Sequence, residues 1–286
     1  MIEIVEVGPR DGLQNEKAWV PTEAKISFVN ALNKTGTRQI EVTAFVSPKW
    51  VPQLKDAQEV LAGIERAPGI EYSALVPNLR GFERAMECDV DKLALFTAAS
   101  ETFNAKNINT TIEGSFERMR EVCREASLAG KPVRGYISTA FHCPFEGAIA
   151  PDRVTDIAKR FLDLGVHDVS IGDTIGKANV DEVRRLLTHL LKSIPKEKVA
   201  MHFHDTFGQA AENVVASWKM GVETFDSCTG GIGGCPYAPG APGNVATATV
   251  VRALREAGAG IEYDLDAVDN AHIEIRDYLG VTPPNQ

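Results

Sequence analysis

The segment Val199-Ala-Met-His-Phe-His-Asp-Thr-Phe-Gly208 says more about the fold than any other part of the sequence. Its first six residues are mostly apolar, and a polar turn follows them, as is typical of a buried strand that ends in a loop. Side chains two residues apart on a strand point to the same face. The segment therefore predicts that His202 and His204 present two imidazoles side by side at the end of a buried strand.

Seven further segments look like strands, and amphipathic helical segments alternate with them along the chain. The eight predicted strands cover residues 2–7, 38–43, 71–76, 92–97, 133–138, 168–172, 199–204 and 224–229. This alternation predicts a parallel sheet, and a count of eight favours a closed (β/α)8 TIM barrel. A doubly wound open sheet is the second interpretation, because periodicity alone does not distinguish a closed sheet from an open one.

The length of 286 residues fits one large domain. We expect residues 1–286 to form a single barrel, with residues 261–286 as a C-terminal extension that carries one extra helix over 265–279. The glycine-rich segment 230–234 leads into Cys-Pro-Tyr and not into a helix, so it is not a dinucleotide-binding fingerprint.

The composition is that of an ordinary soluble protein, with 44% hydrophobic and 24% charged residues. A net charge of -9 argues against a nucleic-acid partner. The lack of any apolar run of 18 residues argues against a membrane span. The N-terminal residues do not resemble a signal or transit peptide, and the five cysteines are scattered, so we expect a cytoplasmic protein with reduced thiols.

Four residues that could bind a divalent metal follow three of the predicted strands. Asp11 follows the first strand, His202 and His204 end the seventh, and Asn244 follows the eighth. In a barrel these positions share the C-terminal face, where active sites lie. A carboxylate, two imidazoles and an amide oxygen suit six-coordinate Mg²⁺ or Mn²⁺, and zinc is compatible with the same ligands. Singly, Asp11 could be a turn residue and Asn244 a helix cap; together the four residues predict a metal site.

Arg10 and Glu41 form a second candidate group at the same face. A guanidinium there can bind a carboxylate or stabilise an enolate oxygen. Glu41 lies between apolar residues and needs a partner if it is buried, and Arg10 could be that partner. A purely structural ion pair is the alternative. Other polar residues at or after the strand ends are Lys106, Asn107, Tyr136, Ser170 and Asp173.

The most unusual local sequence is the segment 230–244, which holds six glycines and three prolines around Cys235. Such a composition predicts a mobile loop with rigid corners. A thiol on this loop could act as a general acid that delivers a proton to a carbanion. An inert cysteine and a redox-sensitive one are the alternatives.

Several motifs together resemble those of the 3-hydroxy-3-methylglutaryl-CoA lyases, within the barrel superfamily of metal-dependent carbon–carbon lyases and Claisen-condensing enzymes. The resemblance runs from about residue 3 to 255. The motifs are Val7-Gly-Pro-Arg-Asp-Gly-Leu-Gln-Asn-Glu16, Ile40-Glu-Val-Thr-Ala-Phe-Val-Ser-Pro-Lys-Trp-Val-Pro-Gln53, Lys106-Asn-Ile-Asn109, Gly172-Asp-Thr-Ile-Gly176, His202-Phe-His-Asp-Thr-Phe-Gly208 and Gly233-Gly-Cys-Pro-Tyr-Ala238. The resemblance implies a (β/α)8 barrel, a bound divalent cation, and cleavage of an acyl-CoA to acetyl-CoA and acetoacetate.

The resemblance also implies roles for individual residues, matched motif by motif. It makes Arg10 the group that stabilises the enolate and Cys235 the loop general acid. It makes either His202 or Asp173 the base. The implied metal ligands are Asp11, His202, His204 and Asn244; the residues lining the catalytic cavity are Glu41, Asp173 and Tyr136; those contacting substrate or CoA are Arg10, Lys106, Asn107 and Ser170. A homodimer is expected from the resemblance alone.

The sequence departs from the family pattern in two places. Ala248 stands where an acidic residue is usual, and the bulky pair Phe141-His142 stands where small residues are usual. The second departure could reshape the pocket, so a lyase for a different C3-branched 3-hydroxyglutaryl-CoA is the first alternative. A Claisen-type synthase is disfavoured because such enzymes usually carry long C-terminal extensions. A barrel without catalytic activity is the third alternative.

Overall fold

Eight parallel strands close into one barrel in the computed structural model, which describes residues 1–233 and 243–279. The barrel strands are β1 Glu3–Glu6, β2 Gln39–Ala44, β3 Glu71–Leu75, β4 Lys92–Ala98, β5 Val133–Ser138, β8 Asp168–Asp173, β9 Val199–Phe203 and β10 Thr224–Ser227, and a separate hairpin is formed by β6 His142–Cys143 and β7 Gly147–Ala148. Around the barrel the order is β1-β10-β9-β8-β5-β4-β3-β2. Because β1 pairs with both β10 and β2, the sheet has no edge. The predicted (β/α)8 barrel is confirmed, and the open-sheet interpretation is wrong.

Helices connect successive strands and cover the outside of the barrel. They are α1 Thr22–Leu32, α2 Ala57–Gly63, α3 Leu79–Met86, α4 Glu101–Ile108, α5 Ile112–Leu128, α6 Pro151–Asp163, α7 Val180–Leu190, α8 Ala210–Lys219, α9 Thr247–Glu256 and α10 Leu265–Arg276. Several start at side-chain caps that satisfy their first N–H groups; Asn179 and Glu182, for example, form a reciprocal capping box on α7. None of these helices is long and apolar enough to cross a membrane.

The extra C-terminal helix that the sequence predicts is present, but it is shorter than expected. α10 ends at Arg276 and not at residue 279, and a turn follows it. The side chain of Asp264 caps its first turn by accepting a hydrogen bond from the N–H of Ala267. The helix buries Val268, Ala271 and Ile275, and it packs against α1.

The space between strands and helices is filled by apolar side chains. Phe28, Phe116, Phe161 and Phe203 are fully buried there, and the rings of Phe116 and Phe161 lie 5.2 Å apart between α5 and α6. Burial of each such ring contributes roughly 2–3 kcal/mol. This outer layer is an ordinary hydrophobic core, and it is continuous around the barrel.

The inside of the barrel is different, because charged side chains meet there. Arg134 on β5 forms ion pairs with Asp168 on the neighbouring β8 and with Asp226 on β10, at 2.9 and 3.1 Å. Two strands separate β5 from β10 in the barrel, so the Arg134–Asp226 pair has to cross the interior. Lys92 on β4 adds a 3.0 Å contact to Asp168. We call Lys92, Arg134, Asp168, Ser170 and Asp226 the interior polar column; it lies below the face that carries the candidate site.

Candidate active site

The first strand ends in a tight turn that presents two charged side chains. Gly8–Gly12 forms a π-helical turn in which the N–H groups of Asp11 and Gly12 both donate to the carbonyl of Val7. Gly8 has to be glycine, since a Cβ there would lie 2.8 Å from the carboxylate of Glu6. π-helical turns are rare and concentrate at functional sites. This one directs Arg10 and Asp11 to the C-terminal face of the barrel.

Asp11, His202 and His204 meet at that face. Each offers one ligand atom, and the three atoms lie within 4.8 Å of one another. The Nε2 atom of His202 is 3.9 Å from Oδ2 of Asp11, and the two imidazole rings are 5.4 Å apart. The side-chain amide of Asn244 donates to the same Asp11 oxygen at 3.0 Å. The structure therefore brings together the four residues that the sequence predicts as metal ligands.

The protonation states of Asp11 and His204 suit a cation. Although burial opposes it, the Arg10 guanidinium and the two histidines hold the pKa of Asp11 at about 2, so its carboxylate is ionised at neutral pH. Burial and the neighbouring His202 lower the pKa of His204 to about 4, so its ring is neutral. A metal requires ligands in these forms.

Two buried polar atoms of the site also lack a hydrogen-bond partner among the described residues. They are Nδ1 of His204 and the amide oxygen of Asn244. A buried polar atom without a partner costs roughly 1–3 kcal/mol. An oxygen and an imidazole nitrogen beside an ionised carboxylate form a donor set that fits a hard divalent cation. The residues present therefore fit a metal ion.

Arg10 is held beside these ligands by two carboxylates. Its Nε and Nη2 atoms contact Oε2 of Glu41 at 2.8 and 2.7 Å, and its Nη1 contacts Oδ1 of Asp11 at 2.5 Å. The hydroxyl of Tyr136 donates to the same Glu41 oxygen at 3.1 Å, and its ring lies 5.2 Å from the guanidinium carbon. Although burial opposes it, Glu41 and Asp11 raise the pKa of Arg10, which stays cationic. Arg10, Glu41 and Tyr136 thus form one connected group next to the metal ligands.

Two other predicted site residues make contacts of a different kind. The carboxylate of Asp173 accepts hydrogen bonds from the N–H groups of Lys177 and Ala178 in the loop after β8, at 3.2 and 2.9 Å. Burial raises the pKa of Asp173 to about 6. The hydroxyl of Ser170 donates to Asp226 at 2.5 Å inside the barrel. Ser170 thus lies below His202, and Asp173 stabilises the loop that follows β8. The roles predicted for both residues stay predictions.

The residues predicted to contact CoA lie further out. Lys106 and Asn107 are exposed on α4, which follows β4 and so starts at the same end of the barrel. The Nζ atom of Lys106 lies 4.5 Å from the ring centroid of Phe145. Cys235, the predicted general acid, lies outside the described residues.

The two departures from the family pattern do not change the ligand group. The ring of Phe141 packs 6.4 Å from that of Phe203, whose neighbours His202 and His204 point to the opposite face of β9. His142 binds Glu182 on α7 at 2.9 Å. The expectation that this pair reshapes the pocket is therefore not supported by their contacts.

Ala248, the other departure, lies near a buried carboxylate that comes from another strand. Glu6 accepts hydrogen bonds from the hydroxyls of Thr229 and Thr247, both at 2.8 Å, and from the N–H groups of Gly8 and Thr229. Burial raises the pKa of Glu6, and these four donors oppose that rise. The Glu6 carboxylate thus links three segments. They are the segment that leads to Asp11, the segment that leads to the glycine-rich loop, and the segment that follows Asn244.

The sequence did not indicate which residues contact the site from beneath. Oδ2 of Asp226 lies 3.3 Å from Nδ1 of His202, and Arg134 holds the other Asp226 oxygen. The available signal was a charged residue inside an otherwise apolar strand, as with Arg134 on β5 and Asp226 on β10. Buried charges need partners, but the sequence does not say which strands supply them.

Comparisons with known proteins agree with this geometry. The family model described as HMGL-like matches residues 1–274. A cytoplasmic 3-hydroxy-3-methylglutaryl-CoA lyase of Rattus norvegicus is 47% identical over 270 residues, which are 94% of this chain and 79% of that protein. A hydroxymethylglutaryl-CoA lyase of Pseudomonas mevalonii is 46% identical over 98% of this chain and 93% of its own length.

Solved structures show the same similarity. A structure of an HMG-CoA lyase from Acinetobacter baumannii, in complex with coenzyme A and 3-methylmalate, has a TM-score of 0.93 and 40% sequence identity. The match covers 100% of this chain and 93% of that one.

Proposed function

Because the chain belongs to the HMGL-like family, we infer that it is a carbon–carbon lyase that cleaves 3-hydroxy-3-methylglutaryl-CoA to acetyl-CoA and acetoacetate. The observation that carries this conclusion is the meeting of Asp11, His202 and His204 beside the buried cation Arg10. The alternative lyase for a different C3 branch is not favoured, since relatives at 46–47% identity share the one activity name.

A metal would be held by Asp11, His202, His204 and the side-chain oxygen of Asn244. When bound, a divalent cation supplies Lewis acidity at the tertiary hydroxyl that must lose its proton. Mg²⁺ and Mn²⁺ both suit these ligands, and the two imidazoles favour Mn²⁺ at equal concentration.

Arg10 is built to stabilise negative charge on the substrate. A guanidinium has five N–H donors in a fixed plane. Its three nitrogens each make one contact with Glu41 or Asp11, which leaves two N–H groups for an oxygen that becomes anionic. Since the enolate forms only as the bond between C2 and C3 breaks, this interaction favours the transition state over the bound substrate. Glu41 and Tyr136 hold the guanidinium in place.

Two residues can take the hydroxyl proton, and we propose them as alternatives. His202 can do so only while its Nε2 is not bound to a metal, because its Nδ1 faces Asp226. Asp173, with its pKa raised to about 6, is mostly deprotonated at neutral pH and can accept a proton more readily than an ordinary carboxylate. Cys235 is our proposal for the acid that protonates the enolate. Asp173→Asn tests the Asp173 alternative through the pH dependence of kcat, because it leaves Asp11, His202 and His204 unchanged.

For the CoA arm we propose contacts from Lys106 and Asn107, which are exposed on α4. Ser170 is fully buried and bound to Asp226, so its predicted contact with substrate or CoA requires that hydrogen bond to open. We also propose a cytoplasmic homodimer without nucleic-acid or membrane partners. The name of the rat relative and the net charge of -9 support parts of this proposal.

The activity test follows acetoacetate from 3-hydroxy-3-methylglutaryl-CoA with Mg²⁺ or Mn²⁺ and, separately, with EDTA. We expect metal-dependent product with kcat above about 1 s⁻¹. His204→Ala should abolish most of the activity, while His189→Ala, a partly exposed histidine on α7, should leave it unchanged. Metal binding without acetoacetate would contradict the substrate, and activity that EDTA does not reduce would contradict the metal site.

A further inference from the structure

The two histidines of the site differ in what supports them. Nδ1 of His204 is buried without a hydrogen-bond partner among the described residues. Nδ1 of His202 faces a carboxylate oxygen of Asp226 at 3.3 Å, and its Nε2 faces Asp11. A carboxylate accepts and does not donate when ionised, so Nδ1 of His202 has to carry the hydrogen. In the neutral ring this leaves the lone pair on Nε2, on the side of the metal ligands.

Asp226 is itself fixed from two further directions. The hydroxyl of Ser170 donates to the Asp226 oxygen that faces His202, at 2.5 Å, and Arg134 pairs with the other oxygen at 3.1 Å. The side chain of Asp226 is fully buried. The Arg134 guanidinium is always cationic, so this buried ion pair favours the carboxylate form of Asp226. It cannot turn away from His202 without breaking a buried ion pair.

We propose that Asp226 is a positioning residue for His202: it fixes the ring orientation and the tautomer that expose Nε2 to the metal, while Arg134 and Ser170 fix Asp226. A carboxylate behind a ligating histidine sets the tautomer and raises the basicity of the ligand. The role deepens the metal site on which the proposed function rests. It also assigns a role to the interior polar column, because the column extends from Lys92 to Asp226, which contacts the candidate ligand His202.

The test compares two isosteric substitutions, each at a carboxylate that pairs with the Arg134 guanidinium. Asp226→Asn removes the carboxylate behind His202, and Asp168→Asn removes the other carboxylate bound by Arg134, which does not contact His202. The probe is Mn²⁺ alone, with free Mn²⁺ measured by electron paramagnetic resonance in the absence of substrate. We expect Asp226→Asn to weaken Mn²⁺ binding roughly 10–100-fold. Asp168→Asn should stay within about threefold of the unmodified protein, because it leaves the contacts of His202 in place.

Two further readouts separate positioning from general damage. Long-range ¹H–¹⁵N spectra of the metal-free protein should show a single Nδ1–H tautomer for His202, and a tautomer mixture in Asp226→Ala. The milder variant Ser170→Ala, which keeps the carboxylate, should fold like the unmodified protein and weaken Mn²⁺ binding by less than Asp226→Asn. Excess Mn²⁺ should restore much of the acetoacetate production of Asp226→Asn.

The outcomes distinguish this inference from the proposed function. Equal Mn²⁺ affinity in Asp226→Asn and Asp168→Asn would overturn the positioning role, even if the unmodified protein makes acetoacetate. If the unmodified protein binds Mn²⁺ but makes no acetoacetate, the proposed function fails, and weaker binding in Asp226→Asn alone still supports the positioning role.

Discussion

The side chains buried outside the barrel strands differ in chemistry from those buried inside the barrel. Outside the strands, side chains such as Phe116 and Phe161 are apolar and pack against helices. Inside, Arg134 and its two carboxylate partners are buried to a similar degree but carry full charges. An apolar layer stabilises in proportion to its area and tolerates some rearrangement. A buried ion pair adds little net stability, yet it permits only one arrangement. The outer layer therefore stabilises the barrel, and the inner one fixes geometry.

The strongest test of this difference between the outer and inner layers is Arg134→Met. This variant leaves Asp168 and Asp226 buried without their shared cation. We expect the free energy of unfolding to fall by about 5 kcal/mol, at the upper end for a broken buried pair. Mn²⁺ affinity should fall as well, because Asp226 loses its anchor. Urea denaturation and Mn²⁺ titration at low temperature measure the two effects. A loss below about 1 kcal/mol would show that the interior charges are not held as a unit.

The matched change on the outer side is Phe161→Ala, which removes a fully buried ring between α6 and the barrel. We expect the free energy of unfolding to fall by about 3–4 kcal/mol through lost burial and the cavity that remains. Mn²⁺ affinity in the folded protein should not change. If this variant weakens metal binding as much as Arg134→Met does, the two sides of the wall do not have separate roles.

The pH dependence of stability tests the role of the interior charges further, through the carboxylate of Asp168. Although burial opposes it, Arg134 and Lys92 hold the pKa of Asp168 below its ordinary value. The carboxylate therefore contributes stability above the pKa of the unfolded chain, near 4, and this contribution is lost as the pH falls through the folded pKa. The unfolding free energy of the unmodified protein should exceed that of Asp168→Asn by on the order of 2 kcal/mol at pH 6. The gap should narrow below about pH 4; a gap that is constant from pH 2 to 7 would contradict the ion pairing.

The smallest effect is expected on the outer surface, where charges are also paired. Arg160 contacts Glu113 at 2.7 Å, but both side chains are partly exposed. Glu113→Gln should change the free energy of unfolding by less than about 1 kcal/mol. Chemical denaturation at low and high salt checks this, and a larger loss would mean that surface pairs in this barrel behave like the interior ones.

Most of the scaffold could be predicted from the sequence. The predicted strand bounds lie within two residues of the observed ones, since a run such as 133–138 is limited by polar and turn residues at both ends. The position of Asp11 and His204 at the candidate site could also be predicted, because each lies at or just after the end of a predicted strand and within a motif that resembles the family's. The short α2, α3 and α4 were not predicted, because seven or eight residues give too little periodicity.

The interior contacts could not be predicted in the same way. The pairing of Arg134 on β5 with Asp226 on β10, across two intervening strands, depends on barrel closure and strand register, which single-sequence patterns do not specify. The same limit applies to Ser170, which the sequence placed with the substrate contacts and the structure places against Asp226.

The hydrogen bonds of Glu6 have a consequence for biosynthesis. They join the first strand to Thr229 and Thr247, which follow it by 223 and 241 residues, and Asn244 reaches Asp11 over a similar span. Chains emerge from the ribosome N-terminus first, so Asp11 is made long before the residues that complete its surroundings. A nascent chain that ends before residue 244 lacks one of the four candidate ligands. The full set of four candidate ligands therefore exists only after translation has passed the eighth barrel strand.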